Sequence, residues 1–130
     1  MVTIAPYAAE GVWNPPRYAQ AVKVTGAQTI LFISGQVAFD DQGGAAFPGD
    51  FKAQARAAFQ ALKAQIEAGG GTVANLVKIN TYVTDARYQA ETRAIRDEVL
   101  GPKMPASTGM VVQGLFHPAC LIEVEGIAVL

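Results

Sequence analysis

Two stretches near the end of the chain decide the fold: Pro105-Ala106-Ser107-Thr108-Gly109-Met110-Val111-Val112-Gln113 and Leu121-Ile122-Glu123-Val124-Glu125-Gly126-Ile127-Ala128-Val129-Leu130. Each reads as a strand, with a loop between them. In the final strand, alternation puts Leu121, Glu123, Glu125, Ile127 and Val129 on one face, and Ile122, Val124, Gly126, Ala128 and Leu130 on the other. Neither face is uniformly polar or apolar. Glutamates between large apolar neighbours are costly to bury unless something pairs with them. The plain reading is a half-exposed strand with two solvated glutamates. The sharper reading is that this face meets another subunit and one glutamate sits in a cleft there.

Working outward, Met1 to Pro16 is turn-rich, with little periodicity. Arg17 to Val24 alternates and predicts a strand. Thr29 to Val37 is a nearly continuous apolar run of strand length, and Gly35 within it marks a bulge or a close backbone approach. Asp50 is placed to cap a long helix. Phe51, Ala55, Phe59, Leu62 and Ile66 recur along that helix at helical spacing. Gly69-Gly70-Gly71 ends it. These glycines follow a helix, whereas a phosphate-cradling loop would precede one. Leu76 to Thr84 alternates as a strand, Asp85 opens a second helix through Tyr88, Ile95 and Val99, and Gly101-Pro102 stops it. Two helices for about five strands predict an α+β domain spanning residues 1–130, with the helices on one face of a mixed sheet. The other sheet face is then left for a second subunit to cover.

Composition narrows the function. The 130 residues are 51% hydrophobic and 16% charged, with a net charge of −1. No basic stripe supports nucleic-acid binding through phosphate neutralisation. No apolar run of about 18 residues predicts a membrane span. The start of the chain lacks the charged and apolar regions of a signal peptide, so a cytoplasmic protein is expected. Cys120 is the lone cysteine, which excludes an intrachain disulfide. His117 and Cys120 are too few for a structural zinc site, and no metal or cofactor is expected. Taken singly, Tyr18, Ser34, Gly35, Ser107, Thr108, His117, Cys120 and Glu123 are each more simply structural than functional. His117 reads as a loop residue and Cys120 as a half-buried small hydrophobe.

Taken in order they resemble the RidA family, also called YjgF/YER057c/UK114. The resemblance rests on Tyr18-Ala19-Gln20-Ala21, Ile33-Ser34-Gly35-Gln36-Val37, Ala53-Gln54-Ala55-Arg56, Val77 through Asp85, Pro105-Ala106, and Leu121 through Ala128. It implies a chorismate-mutase-like fold, a homotrimer with ligand clefts between subunits, and hydrolytic deamination of enamines or imines. The implied catalytic base is Glu123. The implied substrate-binding positions are Tyr18, Ser34, Gly35, Ser107, Thr108, Gly109 and Thr92, with Arg17, His117 and Cys120 as accessories. Thr92 stands where the family often has asparagine.

The pattern departs from the family at two places. Deaminating members carry a carboxylate-clamping arginine after Pro-Ala, and here that position is Ser107. The loop Phe116 to Ala119 is one residue longer. A neutral hydroxyl in place of a charged fork removes a contact worth on the order of 2–5 kcal/mol. Weak action on 2-aminoacrylate is therefore expected. Ser107, Gly109, Val111 and Gln113 share a strand face, so a small neutral wall and a larger or less anionic ligand, aminomuconate-like for example, are expected. Arg17 is a possible substitute charge, although alternation turns it away from Tyr18. A non-catalytic ligand-binding or regulatory trimer is the second function class, and an endoribonuclease the third.

Overall fold

The computed structural model describes residues 1–102 and 105–130. The elements in chain order are β1 (Thr3–Tyr7), β2 (Ala21–Thr25), β3 (Ile30–Gln36), α1 (Phe51–Ala68), β4 (Leu76–Val83), α2 (Gln89–Leu100), β5 (Ala106–Val111) and β6 (Ile122–Val129), with single 3₁₀ turns before β4 and α2. β1 and β2 form an antiparallel ribbon. The other four strands make a mixed sheet in the order β3-β6-β4-β5. β4 and β5 run parallel, and α2 is the crossover that parallel neighbours require. The remaining pairs are antiparallel. The architecture is α+β of the chorismate-mutase-like kind, with both helices on one sheet face.

Helix α1 begins where the sequence places it. The Asp50 carboxylate accepts a hydrogen bond from the Ala53 amide at 3.1 Å. Phe51, Ala55, Phe59, Leu62 and Ile66 are all buried. They meet Ile79 and Val83 of β4, Ile122, Val124 and Ala128 of β6, and Ile95 and Leu100 of α2 in one core. Burying each large side chain stabilises the fold by roughly 1.5–3 kcal/mol. Tyr88 stacks flat on Phe51, ring centroids 3.9 Å apart, and fixes the entry to α2 against the start of α1. Asp85 caps the 3₁₀ turn that leads into α2, not the helix itself.

Two expectations about the amino-terminal part are corrected. Thr3–Tyr7 is a strand, although Pro6 and the absence of alternation disguise it. The strand expected from Arg17 begins only at Ala21, because Ala19 leaves the ribbon to pair with Ala106 of β5. The Ala19 amide donates to the Pro105 carbonyl at 3.1 Å, which seats Tyr18 beside the start of β5.

Gln54 is the buried polar exception on α1, at 0% exposure. Its amide nitrogen donates to the carbonyls of Phe47 at 3.2 Å and Ala119 at 2.9 Å. Its oxygen accepts the Leu121 amide at 2.8 Å. One side chain therefore ties the segment before α1 and the loop before β6 to the helix. Among the described residues no helix is long and apolar enough to cross a membrane.

Replacing Gln54 with Leu keeps much of the volume and orphans three backbone groups. The expected loss is about 3 kcal/mol in urea unfolding, since each buried unpaired group costs about 1–3 kcal/mol. Gln60→Leu, on the exposed face of the same helix, is the control and should stay within about 0.5 kcal/mol.

Candidate functional site

The mixed sheet separates the polar groups of the carboxyl-terminal half into two sets. Register decides which residue faces which side. On β4, Ile79, Thr81 and Val83 face the helices, so their β5 partners Ser107, Gly109 and Val111 do too. Tyr82 and Asn80 face the open side, as do their β6 partners Glu123 and Glu125.

The first set lines a cavity of about 370 Å³ between α2 and the β5 edge. Tyr18, Thr92, Ser107 and Gly109 all meet there, within the size range of small-molecule sites. The Thr92 hydroxyl donates to the Tyr88 carbonyl at 2.7 Å, which holds its oxygen in place. The β5 wall is neutral, with Met110 and Val111 beside Ser107 and Gly109. The α2 wall is not. Gln89, Thr92, Arg93 and Arg96 project from one helix face, and both arginines reach the lining. Sequence reasoning missed them because polar positions on a short helix look like solvated surface. Their spacing from Thr92, one and four residues on, was the available signal.

The second set lies on the open face. β3 and β6 lose regular register between Ile33 and Gln36, and Ser34 and Gly35 occupy that irregularity. The Glu123 carboxylate rests where a side chain on Gly35 would begin, so a Cβ there would overlap it. Gly35 is thus required by close approach and not by its backbone angles. Glu125, two residues on, has a different environment. It accepts the Tyr82 hydroxyl at 2.6 Å and the Asn80 amide at 2.9 Å. Those bonds, Tyr82's first, hold its carboxyl below the usual range. The same bond, together with burial, pushes the Tyr82 hydroxyl up. The two glutamates are therefore not a pair of solvated carboxylates.

Four candidates lie outside both clusters. Thr108 faces the open side, opposite its neighbour Ser107, and accepts the Lys78 ammonium at 3.0 Å. Arg17 is ion-paired with Asp97 at 3.0 Å and lends the cavity no charge. His117 accepts the Ala119 amide within its own loop. Cys120 is fully buried, more deeply than expected, and burial pushes its thiol up, with a smaller contribution from the Glu123 charge. Among the described residues no group of three or more His, Cys, Asp or Glu side chains could hold a metal.

The fold and the two sets of polar groups define a small α+β protein with candidate ligand-binding surfaces on both sides of its sheet. The chain belongs to the Endoribonuclease L-PSP family, whose model matches residues 13–130, and thus to the RidA/YjgF group of proteins. It is 34% identical over 111 residues to a RutC family protein of Pyrococcus horikoshii, covering 85% of each chain. The crystal structure of the Rid-family protein YyfB from Yersinia pestis superposes with a TM-score of 0.84 at 29% identity, covering 98% of both chains. Escherichia coli TdcF, crystallised with bound serine, superposes at 0.70 with 26% identity, covering 97% of this chain and 93% of that one.

The Glu125 cluster predicts an acid-sensitive contribution to stability. A folded-state pKa below the unfolded value of about 4.3 stabilises the protein at neutral pH and is lost as pH falls through the folded value. Urea midpoints at pH 7 and pH 3 should fall further for the wild type than for Glu125→Gln. Equal falls would show that the cluster does not couple protonation to folding.

Proposed function

We propose that the chain is a hydrolytic enamine or imine deaminase that works as a homotrimer, with each cleft built from two copies. One copy supplies Glu123 and Gly35 from its open sheet face. Its neighbour supplies Tyr18, Thr92, Ser107 and Gly109 from the cavity beside β5. The observation that carries this reading is the division itself. The groups a cleft would need lie on opposite sides of one sheet, so one copy cannot bring them together. The open face also exposes Phe32 at 78% and Met110 at 52%, which are apolar groups suited to a subunit contact.

In this mechanism Glu123 is the general base. A water held by its carboxylate passes a proton to Glu123 and adds to the carbon of the protonated C=N bond, giving a neutral carbinolamine. Glu123 returns that proton to the nitrogen, the C–N bond breaks, and the hydroxyl gives its proton to the departing ammonia as the carbonyl forms. Gly35 gives the carboxylate room against the backbone, and the subunit contact keeps out bulk water. The neutral β5 wall offers the carboxylate of 2-aminoacrylate no charged partner on that strand. TdcF, a structural relative with serine bound, gives a family precedent for amino-acid-sized ligands. The family model's description names an endoribonuclease, but a net charge of −1 gives a polyanion little general attraction.

Light scattering should report three times the 13.7 kDa chain mass at micromolar concentration. A concentration-independent monomer would refute the shared cleft. Against a panel of enzymatically generated imines, Glu123→Gln should lower kcat/KM by at least about 10²-fold with the assembly intact. Gly35→Ala should do the same by displacing the carboxylate, at a cost to stability of about 1 kcal/mol or less, since the obstructed group is the end of a flexible side chain. Unchanged turnover in both variants would favour a non-catalytic ligand-binding trimer.

A further inference from the structure

Arg96 is a largely covered charge that the proposed mechanism leaves unused. Its side chain is only 13% exposed, yet it forms part of the cavity wall. Its closest partner is neutral, the Arg17 carbonyl at 3.1 Å. The one carboxylate near it, Asp97, is 3.5 Å away and is held more closely by Arg17, at 3.0 Å. Arg93 adds a second cation to the lining, and the lining contains no carboxylate among the described residues. A largely covered guanidinium that only shares its one carboxylate, at the longer distance, gains from a further counter-charge.

We infer that the cavity binds a ligand carboxylate through Arg96 on α2, with Arg93 reinforcing the field and the hydroxyls of Ser107 and Tyr18 lining the opposite side. This deepens the reading of the cavity as half of a substrate cleft and rests on it only for the identity of the reaction. A guanidinium presents two parallel N–H donors that match a carboxylate in the plane of the fork. The anion is gripped from the helix wall, so residue 107 is free to be small. The ligand class is a small carboxylate whose reactive end points away from α2, out of the cavity mouth. The neutral β5 wall therefore excludes a carboxylate held from the strand and not anionic ligands as a class.

The test is binding, not turnover. Titration calorimetry of the intact protein with 2-oxobutanoate, and with its methyl ester as the neutral counterpart, should give saturable binding of the acid alone. Arg96→Gln should weaken that binding by about 30-fold or more, and Arg96→Lys should restore part of it. Ser107→Asp places an internal carboxylate in the cavity without touching the helix, and it should abolish binding of the acid. Glu123→Gln should leave binding intact even where it removes turnover, so the deaminase reading and the Arg96 reading fail separately. Equal binding of acid and ester, no saturable binding by the wild type, or undiminished affinity in Arg96→Gln with the assembly intact would each overturn the inference.

Discussion

The carboxamide of Gln54 sets the phase of the strand on which everything else is read. It holds the Leu121 amide immediately before β6 begins, and the Ala119 carbonyl just upstream. A strand exchanges its two faces when its register slips by one residue. With Leu121 fixed, Ile122 and Val124 enter the core while Glu123 and Glu125 leave it. With Leu121 shifted by one, two glutamates would be turned into the core that holds Phe59 and Leu62, a costly burial. A single buried amide thus separates the apolar interior from the candidate chemistry.

Beyond that anchor, the two glutamates diverge because of what stands across the sheet from each. Glu125 lies between a phenol and an amide and serves as their acceptor. Glu123 takes part in none of the side-chain hydrogen bonds or ion pairs among the described residues, and its carboxylate lies against a residue with no side chain. Two carboxylates two residues apart are thereby assigned different work by ordinary strand pairing. The same logic divides Ser107 from Thr108, adjacent in sequence and on opposite sides of the sheet.

Much of this was legible in the chain, for identifiable reasons. The α1 stripe and its Asp50 cap follow helical spacing, and β4 alternates cleanly, so both stand close to where the sequence puts them. The phase of β6 was ambiguous because Leu121, Ile127 and Val129 make its open face nearly as apolar as its core face. β1 escaped because Pro6 and exposed side chains give it no period. The start of β2 was misplaced because Ala19 pairs with β5, a long-range choice that no local pattern records. Arg93 and Arg96 were invisible as site residues for a related reason. On a helix wheel they are solvated, and only the packing of α2 beside the β5 edge turns their face into a cavity wall. The resemblance to the RidA family identified the fold and pointed to Glu123, but on α2 it singled out Thr92 alone.

The placement of the candidate groups on opposite faces of one sheet has a corollary for inheritance. A lesion at Glu123 spoils one face of a copy and leaves its cavity sound. A lesion at Arg96 spoils the cavity and leaves the carboxylate sound. If clefts join unlike faces, a cell making both defective chains would still form some junctions between an undamaged face and an undamaged cavity. Two loss-of-function alleles within 130 codons of each other would then rescue one another, as though they belonged to separate genes.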